Sequence, residues 1–339
     1  MRAAVFDAFN DPLRIATRPD PAPAPGEVLI RTRSCGICGS DLHLAAGESG
    51  LVVEPGCIFG HEFAGDVVAR GTGVRDFAIG DRVVVLPVLG CGSCRACLGG
   101  EFPRCAQAQY MGAGVVPGAY AEYVRAPAGN TLRLPDSMTY DDGALIEPLA
   151  VGLRGVWRAQ MKLADRALVL GTGPIGMAAI FWARRMGAER LVASAPSRRR
   201  EAIAQRMGAD TFLPYDTDLP AAATNALGGP PEVVFECTGH PGAIARALQC
   251  VAIGGTVVVL GFCGRPDDTA PALAVFKDVT MQFSVAYDLR TYRQAIATLA
   301  AGATEPRAMI TEHVDLDGLP TAFTALRERS AHCKVMIHP

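Results

Sequence analysis

The chain reads as an α/β protein in two parts. A β-rich portion covers residues 1–150, and a doubly wound parallel sheet covers 151–286. Three observations lead to this reading. The first part carries short β-type runs, 27–33, 65–69, 81–86 and 119–125, between loops rich in glycine and proline. From Val151 the rhythm changes to apolar strand, helix, apolar strand, helix, the pattern of buried parallel strands covered on both faces. The third is Gly171-Thr172-Gly173-Pro174-Ile175-Gly176, a glycine loop joining one such strand to the next helix.

The elements follow in order. Residues 19–25, with four prolines, form an extended lead-in rather than a linker. In the second part, strand 167–170 precedes helix 174–186 and strand 190–194 precedes helix 197–207. Strand 232–236 then precedes helix 241–251, and strand 256–260 follows. The tail, 287–339, carries helices over 290–301 and near 319–329 and a last strand over 333–338. It is expected to return and complete the first domain.

A length of 339 residues suits about two domains, each with a sizeable core. The net charge of −2 and the lack of a basic stripe argue against nucleic acid as a partner. The first residues hold no apolar signal run, and the uncharged window 247–264 is broken by Gly254-Gly255, so no membrane association is expected. Thiols at Cys237, Cys250 and Cys263 fit a reducing cytosol, and a cytoplasmic location is expected.

Two sets of metal-type residues stand out. Cys91, Cys94, Cys97 and Cys105 are spaced C-x2-C-x2-C-x7-C, which lets four thiolates converge on one tetrahedral structural zinc. Gly90, Gly92, Gly99 and Gly100 lie among them and favour a tight fold around a metal. A disulfide framework fits poorly with a long chain of 11 cysteines, an odd number. A nucleic-acid zinc module fits poorly too, since only Arg95 and Arg104 are basic in the cluster. Upstream, Cys38 and the pair His61-Glu62 offer sulfur, imidazole and carboxylate, the mixture zinc uses where it keeps a position open for chemistry.

The glycine loop reads as a dinucleotide site. Gly171 allows the tight turn, Gly173 the approach of a pyrophosphate, and Gly176 close packing of helix on strand. The helix opened by Pro174 and Ile175 presents its N-terminus to the phosphates. An acid at the end of the second strand would hold the ribose 2′-OH of NAD, but Ala195 stands there and Arg198, Arg199 and Arg200 follow. Positive charge at a helix start is mildly unfavourable unless an anion sits against it, so a 2′-phosphate, and hence NADP, is expected, met by Arg198 or Arg199 before Arg200, which lies further along the helix. NAD is the alternative cofactor, and Ser194 is then left as the ribose contact.

Taken together, these motifs resemble the zinc-dependent medium-chain alcohol dehydrogenases, including the sorbitol and threonine dehydrogenase branches. The likeness spans Gly60-His61-Glu62, the four-cysteine lobe, residues 144–151 around Glu147-Pro148-Leu149, and the glycine loop, in that order. It implies a GroES-like catalytic domain and a Rossmann domain, with two zinc ions per chain, one catalytic and one structural. Cys38 and His61 resemble the first catalytic ligands, and Glu62, Glu147 or a water would complete the shell. Asp41 resembles the carboxylate that orients His61, and Ser40 and His43 occupy proton-relay positions. Cys35 is not a ligand in this alignment, and Cys57 is a loop thiol near the site. The resemblance implies hydride transfer between NADP(H) and an alcohol or carbonyl compound. Leu44 stands where polyol-oxidising relatives carry tyrosine, and residues 283–287 lack the arginine placed nearby in sorbitol dehydrogenases. Both departures favour a less polar secondary alcohol, ketone or aldehyde over a sugar alcohol. An NAD-dependent polyol, diol or amino-alcohol dehydrogenase is the alternative. The chain has the shorter length of bacterial and polyol-type members and lacks the extended loop of dimeric ones, so the resemblance implies a homotetramer.

Overall fold

The computed structural model describes residues 1–215, 218–328 and 331–339. Two compact units result. One comprises Met1–Glu147, Asp288–Ala303 and Ile310–Pro339; the other comprises Pro148–Tyr287 and Thr304–Met309. The tail is therefore divided, since its short stretch Thr304–Met309 packs with the second unit.

The first unit is built on a seven-stranded sheet. Its order is Ile310–Val314, Lys334–Ile337, Glu27–Gly36, Glu62–Arg70, Arg82–Val85 and Thr131–Arg133, with Tyr123–Pro127 also pairing on Glu27–Gly36. Strand Glu27–Gly36 alternates at first, turning Val28 and Ile30 inward, and is wholly buried at Ser34, Cys35 and Gly36. Its core partners include Phe63, Val83, Val85 and Tyr120, all at or below 1% exposure. The run expected over 119–125 starts later, at Tyr123, because its first residues pair with the N-terminal segment instead. Ala4 N–H donates to Tyr120 O at 2.8 Å, and Ala121 bridges to Ala3.

Helix Tyr140–Ala159 is not announced by the sequence pattern, since Gly143, Pro148 and Gly152 interrupt it. Packing overrides propensity here. Ala144, Leu145, Ile146, Leu149 and Ala150 are fully buried, and a Cβ on Gly143 would lie 2.6 Å from Ala64 Cβ. Thr139 and Asp142 cap the start reciprocally: Asp142 N–H donates to Thr139 Oγ1 at 3.1 Å and Thr139 N–H to Asp142 Oδ2 at 2.8 Å.

The second unit is a six-stranded parallel sheet in the order Thr211–Pro214, Arg190–Ala195, Arg166–Leu170, Val233–Glu236, Thr256–Val259, Thr280–Phe283. Numbered along this unit the order is 3-2-1-4-5-6, so the winding reverses beside Arg166–Leu170, where dinucleotides bind in sheets of this kind. The helix expected over 197–207 is split into a 3-10 turn, Arg198–Arg200, and an α-helix, Glu201–Met207. The helix expected over 241–251 is shorter, Ala243–Cys250, because Gly242 at φ +82° sets its start. The helix expected near 319–329 runs Leu319–Arg327, and Arg329 lies outside the described residues.

Candidate active site

The four-cysteine lobe is gathered by a turn, a short helix Arg95–Leu98 and a 3-10 turn Phe102–Arg104. Four sulfurs about 2.3 Å from one tetrahedral zinc stand about 3.8 Å apart. Cys94 and Cys97 Sγ are 3.5 Å apart, and Cys91 and Cys97 Sγ are 4.0 Å apart. Backbone N–H groups of Cys91 and Gln107 point at Cys105 Sγ, each at 3.4 Å. Those two groups hold the Cys105 thiol below its usual range, and the N–H groups of Ser93 and Cys94 bring Cys91 down to about 6. Both shifts favour the thiolate, the form that binds metal. Gly90 is required on steric grounds, since a Cβ there would lie 2.3 Å from Cys97 Sγ.

Cys38, His61 and Glu62 bring their ligand atoms within 4.8 Å of one another. Cys38 precedes helix Gly39–Ala45, and His61-Glu62 open strand Glu62–Arg70, so a helix start and a strand start meet. Gly60, at φ +95°, lies so close under Tyr120 that a Cβ would be 2.4 Å from its ring. Burial works against a charged His61, but Asp41 and Cys38 outweigh it and hold the imidazole well above its usual value. Burial, helped by Glu62, pushes the Cys38 thiol up. The site therefore favours positive charge, and sulfur, nitrogen and oxygen donors suited to zinc surround it.

Behind these donors Asp41 is fully buried. Its Oδ1 lies 3.2 Å from His61 Nδ1, and its Oδ2 accepts from Tyr120 O–H at 2.5 Å. Ser40 donates to Cys38 Sγ at 3.2 Å and lies 3.4 Å from His61 Nε2, so it stands directly against the ligand cluster. His43, three residues along the same helix, is half exposed and faces Glu48 Oε2 at 3.0 Å. Glu147 is buried in helix Tyr140–Ala159, and its charge acts on Lys334 and Tyr292, but it lies outside the 4.8 Å group. Cys35 is in the apolar core, and burial pushes the Cys57 thiol up to about 11.

Two residues with no motif of their own complete the arrangement. Tyr120 holds Asp41, and Lys334 is wholly buried on both oxygens of Glu62. The sequence signal for Lys334 is a charged residue leading the apolar run Val335-Met336-Ile337.

In the second unit the glycine loop turns at Gly171, φ +94°, against Cys237 and Thr238 at the switch point. A Cβ on Gly173 would meet nothing within 4 Å, whereas one on Gly176 would lie 1.9 Å from Gly171 O. Helix Pro174–Arg185, carrying Ile175 and Gly176 in its first turn, opens onto that free space and fits a pyrophosphate. Arg200 donates to Thr172 O at 3.3 Å, which brings its guanidinium to the loop. Arg198 instead donates to both oxygens of Glu201, at 2.8 and 2.9 Å, and Arg199 lies between the two in the same turn. Ser194, expected as a ribose contact, is fully buried and donates to Leu213 O at 2.7 Å. Its proton ties the second strand to the third and is not free for a ribose.

A β-rich unit holding two sets of zinc-type donors, joined to a dinucleotide-type parallel sheet, defines a metal-dependent dehydrogenase. Residues 24–136 match the family described as alcohol dehydrogenase GroES-like domain, and residues 174–301 match zinc-binding dehydrogenase. The L-arabinitol 4-dehydrogenase of Aureobasidium melanogenum is 36% identical over 325 residues, 93% of this chain and 88% of that one. The sorbitol dehydrogenase of Bacillus subtilis (strain 168) is 31% identical over 344 residues, 100% of this chain and 97% of that one. A solved structure from Sinorhizobium meliloti 1021, described as a zinc-binding dehydrogenase bound to NADP, matches with a TM-score of 0.90 at 30% identity. That match covers 100% of this chain and 99% of the other.

The chain belongs to the zinc-dependent medium-chain alcohol dehydrogenase family, in its sorbitol dehydrogenase-like branch. It is an oxidoreductase acting on the CH–OH group of a small-molecule alcohol, and it uses zinc and a nicotinamide cofactor. Among the described residues no helix is long and apolar enough to cross a membrane.

Proposed function

We propose that the protein interconverts a secondary alcohol and its ketone, or an aldehyde and its alcohol, using NADP(H) and two zinc ions per chain. The observation that carries this reading is the meeting of Cys38, His61 and Glu62 with Ser40 against them and Asp41 behind. Zinc, when bound there, supplies Lewis acidity toward the substrate oxygen, and the nicotinamide exchanges hydride with the substrate carbon. Cys38 and His61 hold the metal, with Glu62 the carboxylate in reach and Glu147 the second candidate. Asp41, fixed by Tyr120, orients the His61 ring. Ser40 takes the substrate hydroxyl proton, and His43, beside Glu48, passes it to solvent. The thiolate lobe holds the second, structural zinc.

NADP is favoured by the absence of an acid at Ala195 and by the Arg198–Arg200 turn, where Arg200 lies against the glycine loop. The neighbour bound to NADP supports the same reading. A second reading, an NAD-dependent polyol or diol dehydrogenase, is favoured by the arabinitol and sorbitol dehydrogenases among the relatives. Against it, Leu44 is buried in the apolar core and offers no hydroxyl to a polyol. Measuring kcat/KM for a panel of secondary alcohols, polyols and carbonyl compounds with each cofactor decides between the two. Polyols turning over best with NAD would overturn the first reading.

A homotetramer is part of this proposal. Thr280–Phe283 is an open edge strand, and Val275, Phe276, Phe283 and Val285 are all exposed beside or on it, a combination that calls for a covering partner. Light scattering giving a monomer at micromolar concentration would refute it. A cytoplasmic location completes the reading, supported by 11 cysteines of which none is in a disulfide.

A further inference from the structure

One group of side chains outside the sites above has the make-up and spacing of a metal centre. Asp141, His313 and His338 bring their ligand atoms within 4.8 Å of one another. Three elements of the first unit build it. Strands Ile310–Val314 and Lys334–Ile337 are parallel, with His313 in register with Met336. His338 lies two residues beyond Met336, and its N–H continues the pairing to Val314 O at 2.9 Å, so its side chain emerges on the face of His313. Asp141 comes from the first turn of helix Tyr140–Ala159 and reaches the Nε2 edge of both rings.

Each carboxylate oxygen of Asp141 meets one imidazole. Oδ2 is 2.9 Å from His313 Nε2, and Oδ1 is 2.9 Å from His338 Nε2. Ser34, fully buried on the next strand, donates to Oδ1 at 2.6 Å and fixes the carboxylate. Both imidazoles are about half exposed. Their centroids are 5.0 Å apart at 43°, so they are splayed rather than stacked.

We propose that Asp141, His313 and His338 bind a divalent first-row transition metal, at a site separate from the thiolate lobe and from the Cys38–His61 centre. Two imidazoles and one carboxylate select zinc, cobalt, nickel or copper over calcium or magnesium, which want more oxygens. Ligands about 2.0–2.1 Å from a shared tetrahedral ion stand about 3.3 Å apart, so donors already within 4.8 Å of one another, with each nitrogen 2.9 Å from a carboxylate oxygen, need only small side-chain shifts to receive one. The exposed side leaves room for water to complete the shell. Ser34 plays the part of the outer hydrogen bond that holds a ligating carboxylate in orientation. Binding displaces the protons that Nε2 shares with the carboxylate, so metal and acid compete. A bound ion would pin the start of the helix that carries Glu147 to the strand that carries Lys334, and would raise the stability of the native state by mass action.

The test uses the full, zinc-replete enzyme without any histidine tag. Equilibrium dialysis against near-micromolar zinc at neutral pH, followed by metal analysis, compares the wild type with His313→Asn, His338→Asn and Asp141→Asn. The wild type should retain one more zinc per chain than each variant. Added zinc should also raise its melting temperature and leave that of the variants unmoved. Because the readout is a difference between chains that share both other sites, it stands whatever those sites hold. Turnover of the two exposed histidine variants, measured without added metal, shows that they fold. Equal metal content in the wild type and in folded variants would overturn the proposal, as would an equal thermal shift.

Discussion

Lys334 and Glu62 form an ion pair with no solvent exposure on either side chain, Nζ lying 2.6 and 2.7 Å from the two carboxylate oxygens and 2.9 Å from Ile37 O. Burial alone would lower Lys334, but Glu62 and Cys38 outweigh it and hold the ammonium above its usual value. The strand below is glycine at the contact, because a Cβ on Gly36 would lie 2.1 Å from Glu62 Oε2. The pair sets the carboxylate next to His61 and offsets its charge, so the metal donors gather without a bare buried anion.

Removing one partner leaves the other charged and unpaired in the core. Lys334→Met should therefore cost about 3–5 kcal/mol of stability. Replacing both, as Lys334→Met with Glu62→Met, should recover a large part of that loss, because a well-packed apolar pair of similar volume is often tolerated. Urea unfolding of the two single variants and the double variant forms a cycle that measures the coupling. A single variant as stable as the wild type would show that the pair contributes nothing net.

The two proposed zinc centres should respond differently to loss of a thiol. Cys97→Ser removes a buried member of the lobe and should lower zinc content by one equivalent and the melting temperature with it. Cys38→Ser should also lose one zinc and nearly all turnover, yet melt close to the wild type. Metal analysis paired with calorimetry on both variants checks the contrast. Equal thermal losses would mean that neither centre is specifically structural.

The doubly wound sheet was legible because its buried strands are short apolar runs, separated by helices and punctuated by the Gly171–Gly176 loop. The convergence of Cys38, His61 and Glu62, and of the four cysteines, was legible because few structures need cysteine, histidine and glutamate at such spacing. Other features resist reading for physical reasons. Helix Tyr140–Ala159 carries Pro148 and three glycines inside it, and only packing makes it a helix. Tyr120 and Lys334 act through partners 79 and 272 residues away, which no local pattern encodes. Ser194 looked available at a strand end, but the neighbouring strand takes up its hydroxyl. The arginine turn was read as the start of one helix, so the direction of each guanidinium was lost.

Acid should loosen the second unit through Glu232. This carboxylate accepts from Arg166 backbone N–H at 2.8 Å and from Arg166 Nε at 3.1 Å, and pairs with its Nη2. Burial alone would raise its pKa, but these contacts outweigh it and bring it below its ordinary 4.5. The folded value is the lower one, so the unfolded chain binds more protons and stability rises with pH through this range. The contribution is complete above about 4.5 and disappears as pH falls through the folded value. Glu232→Gln should flatten urea midpoints plotted over about pH 3–5 relative to the wild type. An unchanged slope would assign the acid sensitivity to other carboxylates.

The glycine loop separates a binding role from a packing role. Gly173→Ala adds a methyl where nothing lies within 4 Å, so the fold should be kept while cofactor binding weakens. Gly176→Ala puts the methyl 1.9 Å from Gly171 O and should destabilise by about 1–3 kcal/mol. Thermal melts with a fluorescence titration of NADPH distinguish the two. Unimpaired binding in Gly173→Ala would remove the pyrophosphate from this face of the loop.

Cofactor choice should rest most heavily on Arg200. From the sequence, Arg198 or Arg199 was expected to meet a 2′-phosphate before Arg200, which lies further along the helix. The split into a 3-10 turn changes the directions: Arg200 reaches Thr172 O at 3.3 Å, while Arg198 is bound to Glu201 at 2.8 and 2.9 Å. A phosphate near the loop would therefore find Arg200 already there, whereas Arg198 would have to leave its carboxylate. A charge-assisted contact contributes about 1.5–3 kcal/mol, so Arg200→Ala should weaken NADP binding roughly tenfold or more and change NAD binding little. Arg198→Ala should do less, and Glu201→Gln, by freeing Arg198, should improve NADP binding modestly. Comparing kcat/KM for both cofactors across these three variants gives the order. If the wild type works as well or better with NAD, the arginines are a solvated turn and the 2′-phosphate reading is wrong.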